Sequence, residues 1–342
     1  MRRHDNDVTK LSWQPSQGDP LDYFFDTAYL NHTLATYCPQ MRVHASLDAL
    51  YDVPGLLDPL RIRAEDLGQE LANGSVIVKP HEWAAHLQQR IDLKAPADKR
   101  GGVPLRVHIE SAAHNSWPVA ADPPAVAANF GRILRVRQDC RRLAGAVLFQ
   151  LAQQFGLRID PRKGYQPSAG GDAAADDSDS FAGVHLRTEA DGGDKFPPYT
   201  TQAANYLNYL VMARAPVAYL ATGATAKDVT AFTERARDFN VTVVSKRDLL
   251  PEGAERAALD SLTVDQRALV DYEVMLRAGL VLGTSEGQFD WNLALRRAWA
   301  FGSGPEGVPA STIKSMQWKD DYTVLWGDEN AGVSALRATI WP

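Results

Sequence analysis

Apolar positions along the chain fall into short strand-like runs separated by longer stretches of helical spacing. From Asp22 to Cys38 they recur at helical intervals, and a short strand is predicted at Met41-Arg42-Val43. Ser75 to Val78 and Leu105 to Ile109 read as further buried strands, with an amphipathic helix from His81 to Ile91 between them. A longer helix is predicted from Asp139 to Phe155, carrying Leu143, Val147, Leu148 and Leu151 on one side. The residues before about position 20 are polar and contain the turn formers Pro15, Gly18 and Pro20, the composition of a loose arm.

The second half repeats the alternation more regularly. Strands are predicted at Phe181–Leu186, Pro216–Ala221, Val241–Val244 and Leu280–Leu282. Helices are predicted at Thr201–Arg214, Lys227–Phe239, Thr263–Arg277 and Asp290–Trp299, the third with Leu269, Tyr272 and Leu276 spaced for burial. Such an order implies an α/β fold with a parallel, doubly wound sheet, which binds ligands beyond the carboxyl ends of its strands. His185, Thr222 and Gly283 are all expected at such ends. Between the halves, Ser168 to Ser180 is rich in Gly and Asp and too poor in apolar bulk to build a core. It is expected to be a flexible loop at a domain boundary.

Composition narrows the classes of function. With 342 residues the chain can fill two domains, and its 45% apolar and 23% charged residues are those of an ordinary globular protein. A net charge of −6 gives no electrostatic case for nucleic acid as a partner. No window approaches the roughly eighteen apolar residues of a membrane span, and Met1 opens no signal-peptide pattern. Cys38 and Cys140 exclude a disulfide framework or a cysteine-based zinc site and leave one bridge open. Asn31, Asn73 and Asn240 each begin an N-glycosylation acceptor pattern, which points mildly away from the cytosol. His81, His86, His108 and His114 lack metal-ligand spacing and read as structural or solvated.

The candidate chemistry gathers at strand ends. Gly183-Val184-His185-Leu186-Arg187 delivers an imidazole and an always-charged guanidinium to the same side of a strand end, a pairing suited to gripping a diphosphate. The triplet alone is equally the end of a surface strand with a solvated arginine. From Gly283 to Asn292 a turn of small residues, Thr284, Ser285, Glu286 and Gly287, runs into a helix whose N–H groups can cradle phosphate oxygens. Asp271 stands on a helix between apolar residues, where it could also be an exposed surface acid.

Taken in order, Phe181 to Asp191, Tyr219 to Gly223, Val270 to Val274 and Gly283 to Asn292 resemble the GDP-fucose O-fucosyltransferase family, closest to its fungal branch. Val241 to Leu250 and the closing Ile340-Trp341-Pro342 resemble that branch too, and the likeness covers most of the chain from Tyr23. The resemblance implies a GT-B-like architecture, two Rossmann-like domains facing across a cleft. Residues 1–165 would form an N-terminal, acceptor-side domain, 166–180 the flexible loop, and 181–342 the domain that binds the nucleotide sugar. The family's Gly-rich, Asn-containing N-terminal loop has no counterpart between Met1 and Asp22, so the first domain is expected to be incomplete or divergent.

The function implied is transfer of fucose from GDP-fucose to a hydroxyl, that of a protein or peptide Ser/Thr, with inversion and without a metal or other cofactor. No compact Asp-x-Asp motif follows a predicted strand to hold a divalent ion. By the same resemblance Arg187 binds the β-phosphate and stabilises departing GDP, and His185 orients the nucleotide. Asp271 would accept from guanine N1 and N2, and Phe289 would be the aromatic of the phosphate turn. Gly287 and Gln288 stand where the family carries a hydroxyl pair, and Ser285 and Thr284 lie nearby as substitutes. Glu189 and Asp191 read as solvated loop acids or as partners of Arg187, not as a catalytic base. Two further functions stay open: a non-catalytic relative that binds a GDP-sugar or acts as a scaffold, and an enzyme for another GDP-sugar or a small-molecule acceptor. Taken as it stands the sequence is expected in the cytoplasm. If its front is missing, the family and the three acceptor patterns point to the secretory pathway.

Overall fold

The strongest strand signals pair with one another into one sheet. The computed structural model of the chain describes residues 20–44, 59–62, 71–72, 76–77, 79–96, 105–109, 121, 123, 132–160, 180–189, 196–301 and 315–327. The chain divides into two compact units. One takes in Met1–His32, Leu134–Val333 and Pro342, the other Thr33–Ile133 and Ser334–Trp341.

The larger unit is built on a mixed six-stranded sheet of order β7-β6-β5-β8-β10-β9. Its strands are β5 (Ala182–Leu186), β6 (Val217–Thr222), β7 (Thr242–Val244), β8 (Leu280–Thr284), β9 (Met316–Lys319) and β10 (Thr323–Trp326). All neighbours run parallel except the edge strand β9, which pairs antiparallel with β10. The chain starts at β5, builds outward through β6 and β7, and then crosses back to place β8 on the other side of β5. That reversal leaves a crevice at the carboxyl ends of β5 and β8, the topological switch point of a doubly wound sheet.

Each strand alternates its side chains between two cores, so helices cover both faces. On one face Tyr219, Ala221 and Val281 pack against α3 (Gln138–Phe155) and α8 (Val264–Met275). On the other, Val184, Leu186, Leu220 and Leu282 meet α4 (Tyr199–Met212) and α5 (Ala226–Arg237). Gly183 belongs to β5 for a packing reason. A Cβ there would come within 3.2 Å of Met275, so α8 could not approach the strand as closely. Arg297, on α9 (Gln288–Phe301), is buried and held by carbonyls. It donates to the oxygens of Met275, Leu276, Gly279 and Tyr322, tying the end of α8 to the sheet.

Sequence expectation and structure part at several places. The helix expected to close the first domain, α3, lies instead in the core of the larger unit. Its Cys140, Leu143, Val147 and Leu151 are buried beside Tyr219 and Val270, while Leu148 is only partly buried there. Burial of each Leu or Val is worth about 2 kcal/mol, which draws the helix to the larger sheet. Residues 20–26 join the same unit, with Arg141 pairing with Asp26 at 3.0 Å and Tyr23 bonded to Thr263 at 2.7 Å. The boundary expected at 166–180 is therefore not where the two units divide, and that loop lies outside the described residues except Ser180. β9 and β10 were not predicted. The unpredicted α6 (Lys246–Leu249) and α7 (Ala254–Ser261) sit between β7 and α8.

The smaller unit shows a parallel pair, β1 (Leu60–Ile62) with β4 (Val107–Ile109), and an antiparallel pair, β2 (Leu71–Ala72) with β3 (Val76–Ile77). Its helix α2 (Trp83–Lys94) follows a short 3-10 turn at Pro80–Glu82. The strand expected at 41–43 is irregular backbone with Met41 and Val43 exposed, because among the described residues no strand pairs with it. β4, expected to be buried, has Val107 and His108 exposed. The helix of the first prediction is α1 (Thr27–Tyr37), whose first turn is capped by Asp26 accepting from the Tyr29 N–H at 3.0 Å. Cys38 and Cys140 are both free thiols, and burial pushes that of Cys140 up to about 12. The terminal arm, Asn73-Gly74-Ser75, His114, Asp191 and the closing Ile340-Trp341-Pro342 lie outside the described residues.

Candidate functional site

A cleft of about 860 Å³ opens over the carboxyl ends of β5 and β6 and the start of α9, entirely within the larger unit. Of the residues singled out from sequence, His185, Arg187, Asp271, Gly287, Gln288 and Phe289 line it. Ser285 does not. It is fully buried, and among the described residues its Oγ has no hydrogen-bond partner. The nearby Thr284 is 1% exposed and donates its hydroxyl to Glu286. Neither hydroxyl proposed as a substitute for the missing pair therefore faces the cleft. The reason is local: the Ser285 N–H continues the sheet by donating to Trp326 O at 2.8 Å, and its carbonyl accepts from the Trp291 indole at 2.6 Å. That pins the residue inward.

Arg187 follows β5 directly and is held from several sides. Gln202, 2% exposed on α4, clamps its backbone, accepting from the Arg187 N–H at 2.9 Å and donating to its carbonyl at 2.7 Å. The same amide donates to Pro197 O at 2.6 Å, which fixes the segment carrying Phe196. The guanidinium then lies 5.0 Å above the Phe196 ring. It also pairs with Glu189 at 2.5 Å. Gln202, Phe196 and Glu189 were given no site role from sequence, apart from Glu189 as a possible Arg187 partner. They could not be found by spacing, because α4 and the loop before it meet β5 only through the tertiary fold.

His185 sits two residues earlier with its Nδ1 2.8 Å from Asp290 Oδ1. Burial pulls its imidazole pKa down, but the Asp290 carboxylate acts against this through charge and hydrogen bond, with Glu189 assisting and Arg187 opposing. The balance lies above the ordinary histidine value. The ring also lies 4.6 Å from that of Phe289. Asp290 is fully buried in the first turn of α9, and its second oxygen has no partner among the described residues. It was read from sequence only as the start of a helix. A signal was there: an acid just after a glycine-rich turn sits where a helix dipole favours it.

On the opposite wall Asp271 is 5% exposed, which excludes the surface-acid reading. Its Oδ1 accepts from the Tyr219 hydroxyl at 2.6 Å and its Oδ2 from the Lys246 ammonium. Burial and the Asp271 charge raise the Tyr219 phenol well above its usual range, so it stays protonated and donates. Lys246 reaches this point because Ser245 and Asp248 form a capping box that starts α6 immediately after β7. Thr263 and Gln266 cap α8 in the same way, fixing where Asp271 emerges.

These groups make an α/β site with cations and backbone donors on facing walls. Arg187 and His185 stand on one side, Lys246, Arg247 and Arg267 on the other. The first-turn N–H groups of α9, which have no partners inside the helix, add a fixed positive end. Among the described residues no group of His, Cys, Asp and Glu converges as metal ligands, and no helix is long and apolar enough to cross a membrane. The chain matches no protein-family model and no curated protein sequence.

Proposed function

We propose that this cleft binds a nucleoside diphosphate sugar and that the chain transfers the sugar to a hydroxyl group. The donor is GDP-fucose and the acceptor a protein or peptide Ser/Thr, with inversion at the sugar carbon and no metal on the diphosphate. With this reading goes the GT-B arrangement of two Rossmann-like domains. The observation that carries the proposal is the meeting of Arg187, His185 and the N-terminus of α9 at the switch point of the sheet. As the bond to the sugar breaks, negative charge grows on the departing diphosphate. A guanidinium whose backbone is already clamped stabilises that charge without reorganising. Asp271, buried beside Tyr219 and Lys246, would read the base through its remaining lone pairs.

A second reading is a non-catalytic relative that binds the nucleotide sugar or serves as a scaffold. One observation favours it: Arg187 and Asp271 are already neutralised within the chain, by Glu189 and Lys246. Calorimetric titration of GDP and GDP-fucose, beside ADP and UDP, separates the cases when run on the native chain and Arg187→Ala. Micromolar binding of the guanine ligands alone, lost in the variant, together with release of GDP from GDP-fucose, supports the enzyme. Binding without turnover in the presence of varied hydroxyl acceptors supports the relative. No binding to folded protein removes both.

A further inference from the structure

Glu189 occupies a position that a structural salt bridge does not require. Its two carboxylate oxygens do not fork onto the Arg187 guanidinium. One lies 2.5 Å from Arg187 NH1, and the other accepts from the Gly223 backbone N–H at 2.6 Å. Those donors come from the ends of two adjacent strands, β5 and β6, whose registers bring Leu186 opposite Thr222. Both residues and Gly223 line the cleft, yet the Glu189 side chain is only 6% exposed. Gly223 has to be glycine for this contact, since a Cβ would stand 2.6 Å from Glu189 Oε1. The Arg187 backbone is fixed without Glu189, by the Gln202 clamp.

A carboxylate bridging a guanidinium and a backbone N–H satisfies the same two donors that a phosphoryl group would take. We propose that Arg187 and the Gly223 N–H form a phosphoryl subsite, and that Glu189 is its internal placeholder, displaced when a diphosphate enters. In the empty cleft Glu189 spares Arg187 the cost of a desolvated, unpaired charge. On binding, a phosphate carrying more charge and more acceptor oxygens replaces it, and Glu189 turns toward solvent. Diphosphate affinity is then set by competition with the chain's own acid. This inference rests on the function proposed above for the identity of the nucleotide, and on geometry alone for the anion.

The test is the sign of one substitution. Glu189→Gln removes the competing charge but keeps the size, so GDP and inorganic pyrophosphate should each bind about tenfold or more tighter than to the native chain. Guanosine, which has no phosphate, should bind unchanged. Asp265→Asn, at another acid lining the cleft, controls for general loss of negative charge and should shift GDP affinity by less than about twofold. If Glu189 instead holds Arg187 in place, Glu189→Gln will weaken GDP and pyrophosphate, and the proposal is overturned. An unchanged affinity, or an equal gain in Asp265→Asn, overturns it as well. Should Glu189→Gln fail to fold by circular dichroism, Glu189→Asp, too short to bridge both donors, is measured with the same expectations. Tighter pyrophosphate binding with no preference for GDP over ADP keeps the subsite and removes the GDP-sugar function. GDP-selective binding that weakens in the variant does the reverse.

Discussion

His185 and Asp290 are joined across the switch point of the sheet, Nδ1 to Oδ1 at 2.8 Å, with the carboxylate fully buried. The bond links the end of β5 to the first turn of α9, the two elements that define the cleft. It also fixes which nitrogen of the ring is engaged, so the other is the one available to a ligand.

The pair predicts a pH dependence. The folded-state pKa of His185 is raised, so the stabilisation it supplies is present in full below the unfolded value of about 6.5. It is lost as pH rises through the higher folded value. Thermal unfolding of the native chain should therefore show a stability decline on the alkaline side of about pH 6.5 that Asp290→Asn flattens. A slope unchanged in Asp290→Asn would contradict the assignment. In the same variant GDP affinity should lose its pH dependence, because the imidazole would then be neutral across the range.

Gly283 should tolerate no side chain. A Cβ there would fall inside the Asp290 carboxylate, and one at Gly287 would come 2.9 Å from Asp290 Oδ2. Gly283→Ala must push Asp290 off His185 and is expected to destabilise by about 3 kcal/mol, through overpacking and a broken buried pair. Gly287→Ala should cost less. Urea unfolding of both variants gives the comparison, and equal, small effects would show that the carboxylate moves freely.

Lys246 and Asp271 form a pair of which only 13% and 7% of the side chains are exposed. Lys246→Met leaves the acid buried with Tyr219 as its remaining partner from that pairing, and should cost about 3 kcal/mol. The double variant Lys246→Met/Asp271→Leu should regain much of that stability while losing discrimination among GDP, ADP and UDP. If the double variant still selects GDP, Asp271 does not read the base.

Arg187→Lys keeps the charge and loses the planar fork. Under the proposed mechanism its turnover of GDP-fucose should fall by a factor on the order of a hundred or more, as when a positioned charge donor is removed, with substrate KM changing far less. A change in KM alone would make Arg187 a binding residue only.

Much of the larger unit was legible because each of its elements carries its own local signal. β5, β6 and β8 are near-continuous apolar runs, as strands buried on both faces must be. α8 announces its start by the Thr263 and Gln266 pair. β9 and β10 were not, since Met316–Lys319 and Thr323–Trp326 are four residues each and are joined by a turn around Asp320, whose carboxylate accepts from Tyr322 and Thr323 N–H. So short a strand is specified by its neighbour, here β8, more than by its own pattern. The candidate site divides in the same way. His185, Arg187 and the turn before Phe289 are readable because they are contiguous with strand ends.

Alternation of apolar runs and helical stretches, read along the chain, by itself determined an α/β protein whose chemistry sits at strand termini, because strand and helix periods are local properties. Tertiary structure alone decided what each charge does. It buried Ser285 and Asp271, set Asp290 under His185, brought Lys246 to Asp271, laid Glu189 across Arg187 and Gly223, and moved α3 from the expected first domain into the larger core. Those pairings join residues far apart in sequence, and they form because burying a charge without a partner costs more than burying it with one.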